Sequence, residues 1–572
     1  MSTRPTADAA DRDRIATDLD TNLLVEAGAG SGKTTGLVAR MLALIGAGVR
    51  AEQIAAVTFT RKATSELRER FEEQLETKAR ELAGAPEGPL YRQALAERDR
   101  AFIGTIHAFC GRLLREHPLE AGLDPAFEEV DEEAWPLLAH GFWSRWLERL
   151  RQADDPLLLA LASLGIDPRI LAGAFSSFIT YPDVHFPAEA VPAPDPGPCR
   201  RRLRALLAKV QAMMPEDEPD NGYDKLQRTC RRLHFWQNTR DWEQLPAFAA
   251  ALGTLRASQC AVTQNRWPDK KAAKALGEEW SEFLDGDVAR LLSAWREHCY
   301  APVIAFLSRA ADEFARERLR NGTLGFEDLL LGAVRLLRTS DRARRALGER
   351  FRYLLVDEFQ DTDPIQAELC FLLASDPSDG VDWRLVRLRP GALFVVGDPK
   401  QSIYRFRRAD IQTYELVKRR IAAKGAVLRL TSNFRSVHPI ARFVDGHFSA
   451  TFPANGSAAQ APFAPLATER DAEGLDGVYC YGVTPDGNNQ DDIHREDGAR
   501  VASLIARRIA SGAYHASDFL LLAVNLKSLA PYARELSARN IPVSVTGAPL
   551  PQEEELGELL ILLQALADPG NR

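Results

Sequence analysis

The chain has 572 residues, 45% hydrophobic and 27% charged, an ordinary globular composition with room for about three to five domains of ~100–200 residues. A net charge of -8 excludes a global positive field, so any contact with nucleic acid has to use a local basic surface. The seven cysteines (Cys110, Cys199, Cys230, Cys260, Cys299, Cys370 and Cys480) are scattered without a C-x-x-C, which argues against a cysteine-built metal or iron–sulfur site and for reduced thiols. Met1 to Arg14 is polar and charged, with no apolar signal core, and no run reaches the ~18 apolar residues of a membrane span. The chain reads as cytoplasmic, with no membrane partner.

In chain order, the apolar run Leu23-Leu24-Val25 is expected as a buried parallel strand. It runs into Ala27-Gly28-Ala29-Gly30-Ser31-Gly32-Lys33-Thr34-Thr35, after which Leu37, Val38, Met41, Leu42 and Ile45 recur at helical spacing. A Gly-rich strand-to-helix turn wraps its backbone around a phosphate and aims N–H groups at it. The segment fits G-x-x-x-x-G-K-[ST] except that Ala27 stands at the first Gly. In such a cradle Lys33 reaches the β- and γ-phosphates and the Thr34 hydroxyl holds Mg²⁺. The bland alternative is an ordinary turn with an exposed lysine. Ile54 to Thr58 is a second strand, followed by a charged helix from about Thr64 to Leu82. Phe102-Ile103-Gly104 is a third, followed by a helix from about Thr105. Strands alternating with helices argue for a parallel α/β sheet.

From about Leu123 to Arg350 the pattern is helical, interrupted by Pro-rich loops such as Val191 to Pro198, and holds eight of the nine tryptophans (Trp135, Trp143, Trp146, Trp236, Trp242, Trp267, Trp280 and Trp295). This is expected as an inserted helical domain with its tryptophans mostly in the core. Lys225, Arg228, Arg231, Arg232 and Arg240 surround His234, Phe235 and Trp236 with no acid among them. They read either as a charged helix face with aromatics in the core or as a contact to duplex DNA. The sheet resumes with Tyr353 to Val356 and Leu393 to Val396. A second α/β unit is expected to begin near Val427, with further strands at Val478 to Val483, Phe519 to Val524 and Ile541 to Val545. Ala454 to Gly474 is expected as a loop. The expected domains are 1–122 with 351–425, an insert 123–350, and 426–572.

Three more stretches carry chemistry. Asp357 and Glu358 follow a strand end, where Asp357 can hold the other side of the Mg²⁺ and Glu358 can act as general base for water, an effect of ~10²–10⁴-fold. Two acids capping the following helix are the alternative. After the next strand, Gln401 is a candidate sensor of the γ-phosphate. Tyr404 and Phe406 alternate there with Arg405, Arg407 and Arg408, a pattern suited to single-stranded nucleic acid, with stacking worth ~1–3 kcal/mol per base. A structural aromatic pair is the alternative. Arg435, in Leu430-Thr431-Ser432-Asn433-Phe434-Arg435-Ser436, is either a cation crossing a cleft to the γ-phosphate or a surface arginine.

Taken in this order, these motifs resemble the UvrD/Rep-like superfamily I helicases. Thr105-Ile106-His107-Ala108-Phe109-Cys110, Asp357-Glu358-Phe359-Gln360-Asp361-Thr362 and Gly397-Asp398-Pro399-Lys400-Gln401-Ser402-Ile403-Tyr404 lean to the RecB/AddA branch, and Phe326-Glu327-Asp328-Leu329-Leu330 and the tail from Ser517 to Pro569 resemble recurring stretches of the family. The resemblance runs from about Asp8 to the end, with the insert matching in position only. It implies RecA-like motor domains, ATP and Mg²⁺ as cofactors, and 3′-to-5′ translocation on single-stranded DNA with strand separation, in repair or recombination. It implies that Phe434 stacks on adenine, that Gln401 meets the γ-phosphate, and that Thr58, Phe59, Thr60, Thr105, His107, Tyr404, Phe406 and Arg407 line the DNA track.

Three departures bear on function. Relatives often read adenine with a glutamine ahead of the phosphate loop; here Asp11 lies roughly at that place and Met1 to Asn22 holds no glutamine. Arg408 stands where relatives usually have Gly, adding a charge near the expected DNA path. No T-x-H-x-x-K-G-like stretch and no A-x-T-R-A arginine motif precedes Arg572, and no RecB-type nuclease domain is in view. Since an arginine finger is worth ~10³–10⁵ in rate, the expectation is a chain that binds ATP but hydrolyses it slowly alone. The implied partners are a single-strand/double-strand DNA junction and either a nuclease subunit or a chain supplying the absent motifs. The rival from another class is a nucleotide-gated DNA-binding subunit that does not unwind alone. A transporter- or clamp-type ATPase is disfavoured by the lack of L-S-G-G.

Overall fold

The computed structural model describes residues 6–545, except 132, 240, 258–260, 406–407, 454–455, 458–459, 466, 473–475, 484–489 and 526–527, and beyond them 558–559, 562–563 and 566. It forms two units, Met1–Asp471 and Ala472–Arg572. The strands of the first unit are β1 (Leu23–Ala27), β2 (Ile54–Thr58), β3 (Phe102–Thr105), β4 (Glu128–Glu129), β5 (Thr323–Leu324), β6 (Tyr353–Val356), β7 (Leu393–Gly397), β8 (Ala426–Leu430), β9 (Ser432–Val437) and β10 (Ala467–Arg470). Six of them make one sheet in the order β3-β2-β6-β7-β1-β8, every pair parallel.

Continuous apolar runs make central strands because both faces are covered. Alternate residues go to opposite sides. Leu24, Ala55, Val57, Leu354, Val356, Leu393 and Val395 face one core, with helices Ile106–Glu116, Phe326–Thr339 and Pro364–Ala374. Leu23, Val25, Ile54, Ala56, Leu355, Phe394 and Val396 face the other, with helices Lys33–Gly46 and Arg61–Glu81.

Two expected boundaries move. The strand around Val427 does not open a second unit: β8 pairs with β1 in register, Leu23 opposite Ala426 and Ala27 opposite Leu430, and buries Leu428 and Leu430 in the sheet's own core. The insert also ends earlier than Arg350. Helix Phe326–Thr339 buries Leu329, Leu330, Ala333, Val334, Leu336 and Leu337 under the sheet, so its apolar face belongs to the motor core. The chain leaves and re-enters side by side where β4 pairs with β5.

The insert has two helical cores. One gathers Trp242, Trp267 and Trp280; the other gathers Trp143, Trp146, Phe142 and Phe306. The 32-residue helix Ala289–Arg320 serves both, through Leu291 and Leu292 near one end and Phe306, Leu307, Ala310 and Phe314 towards the other. Within the stretch expected as a loop, β10 pairs with β9.

The second unit packs helix Gln490–Ala510 on Leu529–Ser537 around Ala502, Ile505, Leu536 and Ile541. The three runs expected there as strands form no ladder among the described residues, and Leu520, Leu522 and Val524 are exposed. Apolar alternation makes a strand only where another strand pairs with it. No single described helix is long and apolar enough to cross a membrane.

Candidate nucleotide and DNA site

Parallel strands deliver their carboxyl ends to one edge, where open α/β sheets place their ligands. Three loops meet there because β7 lies between β6 and β1. From β1 comes the Gly-rich loop. Gly30 and Gly32 adopt left-handed backbone (φ +71° and +85°), and buried Ser31 donates from Oγ to Gly28 O at 2.7 Å. Helix Lys33–Gly46 then starts with no acid in its first turn, leaving its N-terminal N–H groups to the loop.

From β6 comes the acid pair. Lys33 Nζ donates to Glu358 Oε2 at 2.6 Å, bridging positions 325 residues apart in sequence. Glu358 holds a left-handed φ of +50°, a strained conformation for a residue with a Cβ. Asp357 is buried, and its carboxyl is pushed up to about 6 by burial and then by the charge of Glu358, against the pull of Lys33. Neither acid's side chain caps a helix: Glu358 stands ahead of the short 3-10 turn Phe359–Asp361 without a side-chain capping bond, and helix Pro364–Ala374 is capped by Asp363, which accepts from Gln366 N–H at 2.7 Å. The capping alternative is thereby removed.

From β7 comes the loop of Asp398 and Gln401. Gln401 Nε2 donates to Asp398 Oδ2 at 2.9 Å, so it is turned to its own loop. The amide that touches Glu358 is Gln360, which sequence reasoning passed over. Gln360 donates to Glu358 Oε2 at 2.9 Å and accepts from Asp398 N–H at 2.8 Å, tying the two loops together. Its only signal in sequence was its place two residues after the acid pair.

The fourth wall is the N-terminal helix Ala9–Thr17 with the strand β9. Asp11 does not face the loop, because its Oδ2 accepts from Arg429 N–H at 2.8 Å. Arg12 faces it instead, donating from Nη2 to Ser31 O at 2.9 Å and lying 5.1 Å over the Phe434 ring. Asp8 fixes Arg12 through two bonds of 2.9 and 2.8 Å and accepts from Thr431 N–H and Ser432 N–H. Burial opposes the charge of Asp8, yet Arg12 and these N–H groups hold it well below the usual carboxylate range. Phe434 N–H donates to Gly30 O at 2.9 Å, and Arg435 N–H to Asn433 Oδ1 at 2.8 Å. The Arg435 side chain is exposed beside the loop.

At the residues expected to line the DNA track, β2 and β3 are in register with Thr58 opposite Thr105. Thr60 and Thr105 are helix N-caps, accepting from Ala63 and Ala108 N–H. Phe59 packs against Tyr404 at 5.4 Å, and His107 against Phe326 at 5.0 Å. Thr58 departs from expectation: it is buried, and its hydroxyl is engaged with Thr64 Oγ1 at 2.6 Å. Phe406 and Arg407 lie outside the described residues. Arg408 does not add a loose charge, because it pairs with Asp183 of the insert through both terminal nitrogens. On helix Lys225–Thr239, Leu226, Cys230 and Leu233 face the core while Lys225, Arg228, Arg231 and Arg232 are exposed, and Phe235 is exposed with them.

Beside the Arg408 pair sits Glu327, whose carboxyl is pushed from its ordinary 4.5 to about 7 by burial and by Asp363. One oxygen of it is buried without a hydrogen-bond partner among the described residues. The folded state therefore holds this proton more tightly than the unfolded chain, and stability is lost as pH rises from about 4.5 to about 7. Glu327→Gln is expected to stabilise the protein at pH 8 by on the order of 1–3 kcal/mol and to leave it unchanged near pH 4. Denaturant melts at the two pH values check this; an equal difference at both would refute it.

A Gly-rich loop between a central parallel strand and a helix, facing an acid pair across one intervening strand, defines the α/β fold of a phosphate-loop NTPase. Residues 8–422 match the model of the UvrD/REP helicase N-terminal domain, and the chain belongs to that family. Similar proteins include the A-type ATP-dependent helicase/nuclease subunit of Lactiplantibacillus plantarum, 28% identical over 68% of this chain and 35% of the relative. Its namesake from Pelotomaculum thermopropionicum is 28% identical over 73% of this chain and 36% of the relative. The one from Desulforudis audaxviator is 27% identical over 96% of this chain and 50% of the relative. The chain thus spans half or less of the length of these relatives.

Proposed function

We propose that this chain is an ATP-driven motor that moves along single-stranded DNA, 3′ to 5′, and separates strands in repair or recombination. The observation that carries the reading is the 2.6 Å contact between Lys33 and Glu358 at the carboxyl edge of the sheet. A cation for the β- and γ-phosphates stands there beside a carboxylate able to take a proton from water. When ATP enters the cradle, Lys33 exchanges Glu358 for phosphate, and Glu358 is released to act as the base. Gln360 holds Glu358 in place, Phe434 stacks on the base, and Gln401 and Arg435 respond to the γ-phosphate.

Thr34 and Asp357 are an all-oxygen donor set of the kind Mg²⁺ uses alongside phosphates and water. Asp357 is buried, and burial first and the neighbouring Glu358 second disfavour its lone charge, which a dication would offset. Bound there, Mg²⁺ supplies charge neutralisation at the phosphates.

Phe59, Tyr404, Thr60, Thr105 and His107, with Phe406 and Arg407, form the single-strand track, where rings stack on bases and N-cap hydroxyls lie at the sheet edge. The exposed basic face of helix Lys225–Thr239 suits the phosphates of the duplex arm of a junction. Residues 472–572 belong to the second motor domain. The relatives' designation as helicase/nuclease subunits supports a nuclease partner.

The test is ATP turnover and strand displacement by the chain. Single strands, not blunt duplex, are expected to stimulate turnover, and a 3′-tailed duplex to be opened in preference to a 5′-tailed one. Turnover indifferent to DNA would refute the motor reading. Nucleotide-dependent DNA affinity without turnover would favour the nucleotide-gated binding subunit.

A further inference from the structure

We propose that the insert shapes the single-strand track: Asp183 clasps Arg408 and so holds it in the left-handed backbone that closes the turn bearing Phe406 and Arg407. This rests on the track proposed above.

Among the described residues, those other than glycine with a positive φ are Asp154, Glu358, Arg408 and Asn540. Asp and Asn enter that region readily, because a short polar side chain can bond to the local backbone. Glu and Arg have no such help and persist there only where the surroundings over-determine the conformation. Glu358 belongs to the nucleotide site. Arg408, at φ +68°, follows β7 in the loop of Asp398 and Gln401. Its N–H donates to Arg405 O at 3.0 Å, with Phe406 and Arg407 between them in sequence. The next N–H, that of buried Ala409, returns to Tyr404 O at 3.3 Å, and Tyr404 packs on Phe59 of the track. The backbone of Arg408 therefore decides how the chain leaves Tyr404 and comes back to it.

What holds Arg408 comes from the insert, 225 positions earlier. Nη1 donates to Asp183 Oδ1 at 2.6 Å, Nη2 donates to Asp183 Oδ2, and the guanidinium lies 5.5 Å over the Tyr181 ring. A two-pronged arginine–carboxylate pair fixes direction as well as distance. Each partner's side chain is only 24% exposed, so solvent screens the pair incompletely. Arg408 in turn holds the Asp183 carboxyl below its usual range. Glu327 and Asp363 add negative charge within electrostatic reach of the same guanidinium. A cation neutralised by one carboxylate and approached by two more leaves no positive field to draw a DNA phosphate. Arg408 is a positioning residue, and Asp183 is what positions it.

The experiment is binding of a fluorescent oligothymidylate to the full chain at several salt concentrations, with Asp183→Asn, Arg408→Ala, Arg408→Gly and the double variant Asp183→Asn/Arg408→Gly. Arg408→Ala keeps the backbone penalty and loses the clasp, so affinity is expected to fall about tenfold. Asp183→Asn falls in the same direction. Arg408→Gly also loses the clasp but takes a positive φ at no steric cost, so it binds within about threefold of the parent. Adding Asp183→Asn to Arg408→Gly changes nothing further, and nucleotide affinity is the same in all forms. Equal losses in the Ala and Gly variants overturn the proposal. So does a rise in affinity in Asp183→Asn, most plainly if both Arg408 variants lower the salt slope by about one, the mark of a direct phosphate contact. A parallel loss of nucleotide affinity in Arg408→Ala marks general damage and overturns it as well. Failure of the parent to bind the oligonucleotide refutes the track itself, a result distinct from the others.

Discussion

Glu358→Gln is expected to cut single-strand-stimulated ATP turnover by ~10²–10⁴-fold while leaving nucleotide affinity intact. The substitution keeps shape and hydrogen-bonding capacity at a site held by Gln360 at 2.9 Å, and removes only the ability to accept a proton from water. The backbone there is already committed. Glu358 sits at φ +50°, a conformation a side chain adopts only when the surroundings demand it, and the following Phe359 is buried. Because Lys33 loses its partner in the free enzyme, the variant's lysine is released to phosphate, and affinity is expected to hold or rise. Steady-state turnover and nucleotide titration on the same preparations decide the matter. If the two forms hydrolyse ATP at equal rates, Glu358 is not the base and the acid pair has another role.

The second large effect is expected at Gly30. An alanine Cβ there would stand 2.5 Å from Arg435 Cβ and 2.5 Å from Asn433 Oδ1, on a backbone at φ +71°. The strain alone is worth about 1–3 kcal/mol; Arg435 Cβ cannot swing away, and Asn433 Oδ1 is held by the N–H groups of Arg435 and Ser436. Relief requires β9 to move off the loop, breaking the bond from Phe434 N–H to Gly30 O. Gly30→Ala should therefore lower nucleotide affinity by more than about tenfold. Gly32→Ala is the control: its φ is as unfavourable at +85°, but its Cβ would meet nothing closer than 3.6 Å. A larger affinity loss in Gly32→Ala than in Gly30→Ala would contradict this account of the loop–strand contact.

Much of the site could be read before any coordinates. The cradle at Ala27 to Thr35 and the acid pair at Asp357 and Glu358 announce themselves because each is a local pattern: an apolar run, a break in it, and residue types whose chemistry needs that break. The same locality explains the misreadings. Val427 to Leu430 looks like the start of a new unit, since nothing in a short apolar strand says which sheet it will join. Phe519 to Val524 has a strand's composition, and only a paired neighbour would make it one. Asp11 and Arg12 are adjacent charges on one helix, and their order in the chain cannot say which faces the loop.

By itself, then, the sequence determined the Gly-rich turn between strand and helix, the carboxylates placed at strand ends, and the helical character of the insert, because propensity, periodicity and turn chemistry act over a few residues. Only the tertiary structure decided that Lys33 meets Glu358, that Gln360 joins two loops, that Arg12 lies over Phe434, and that Arg408 is taken up by Asp183. Most of these contacts join residues hundreds of positions apart. They are fixed by how buried faces pack and by which strand completes the sheet, and no short stretch of chain encodes that.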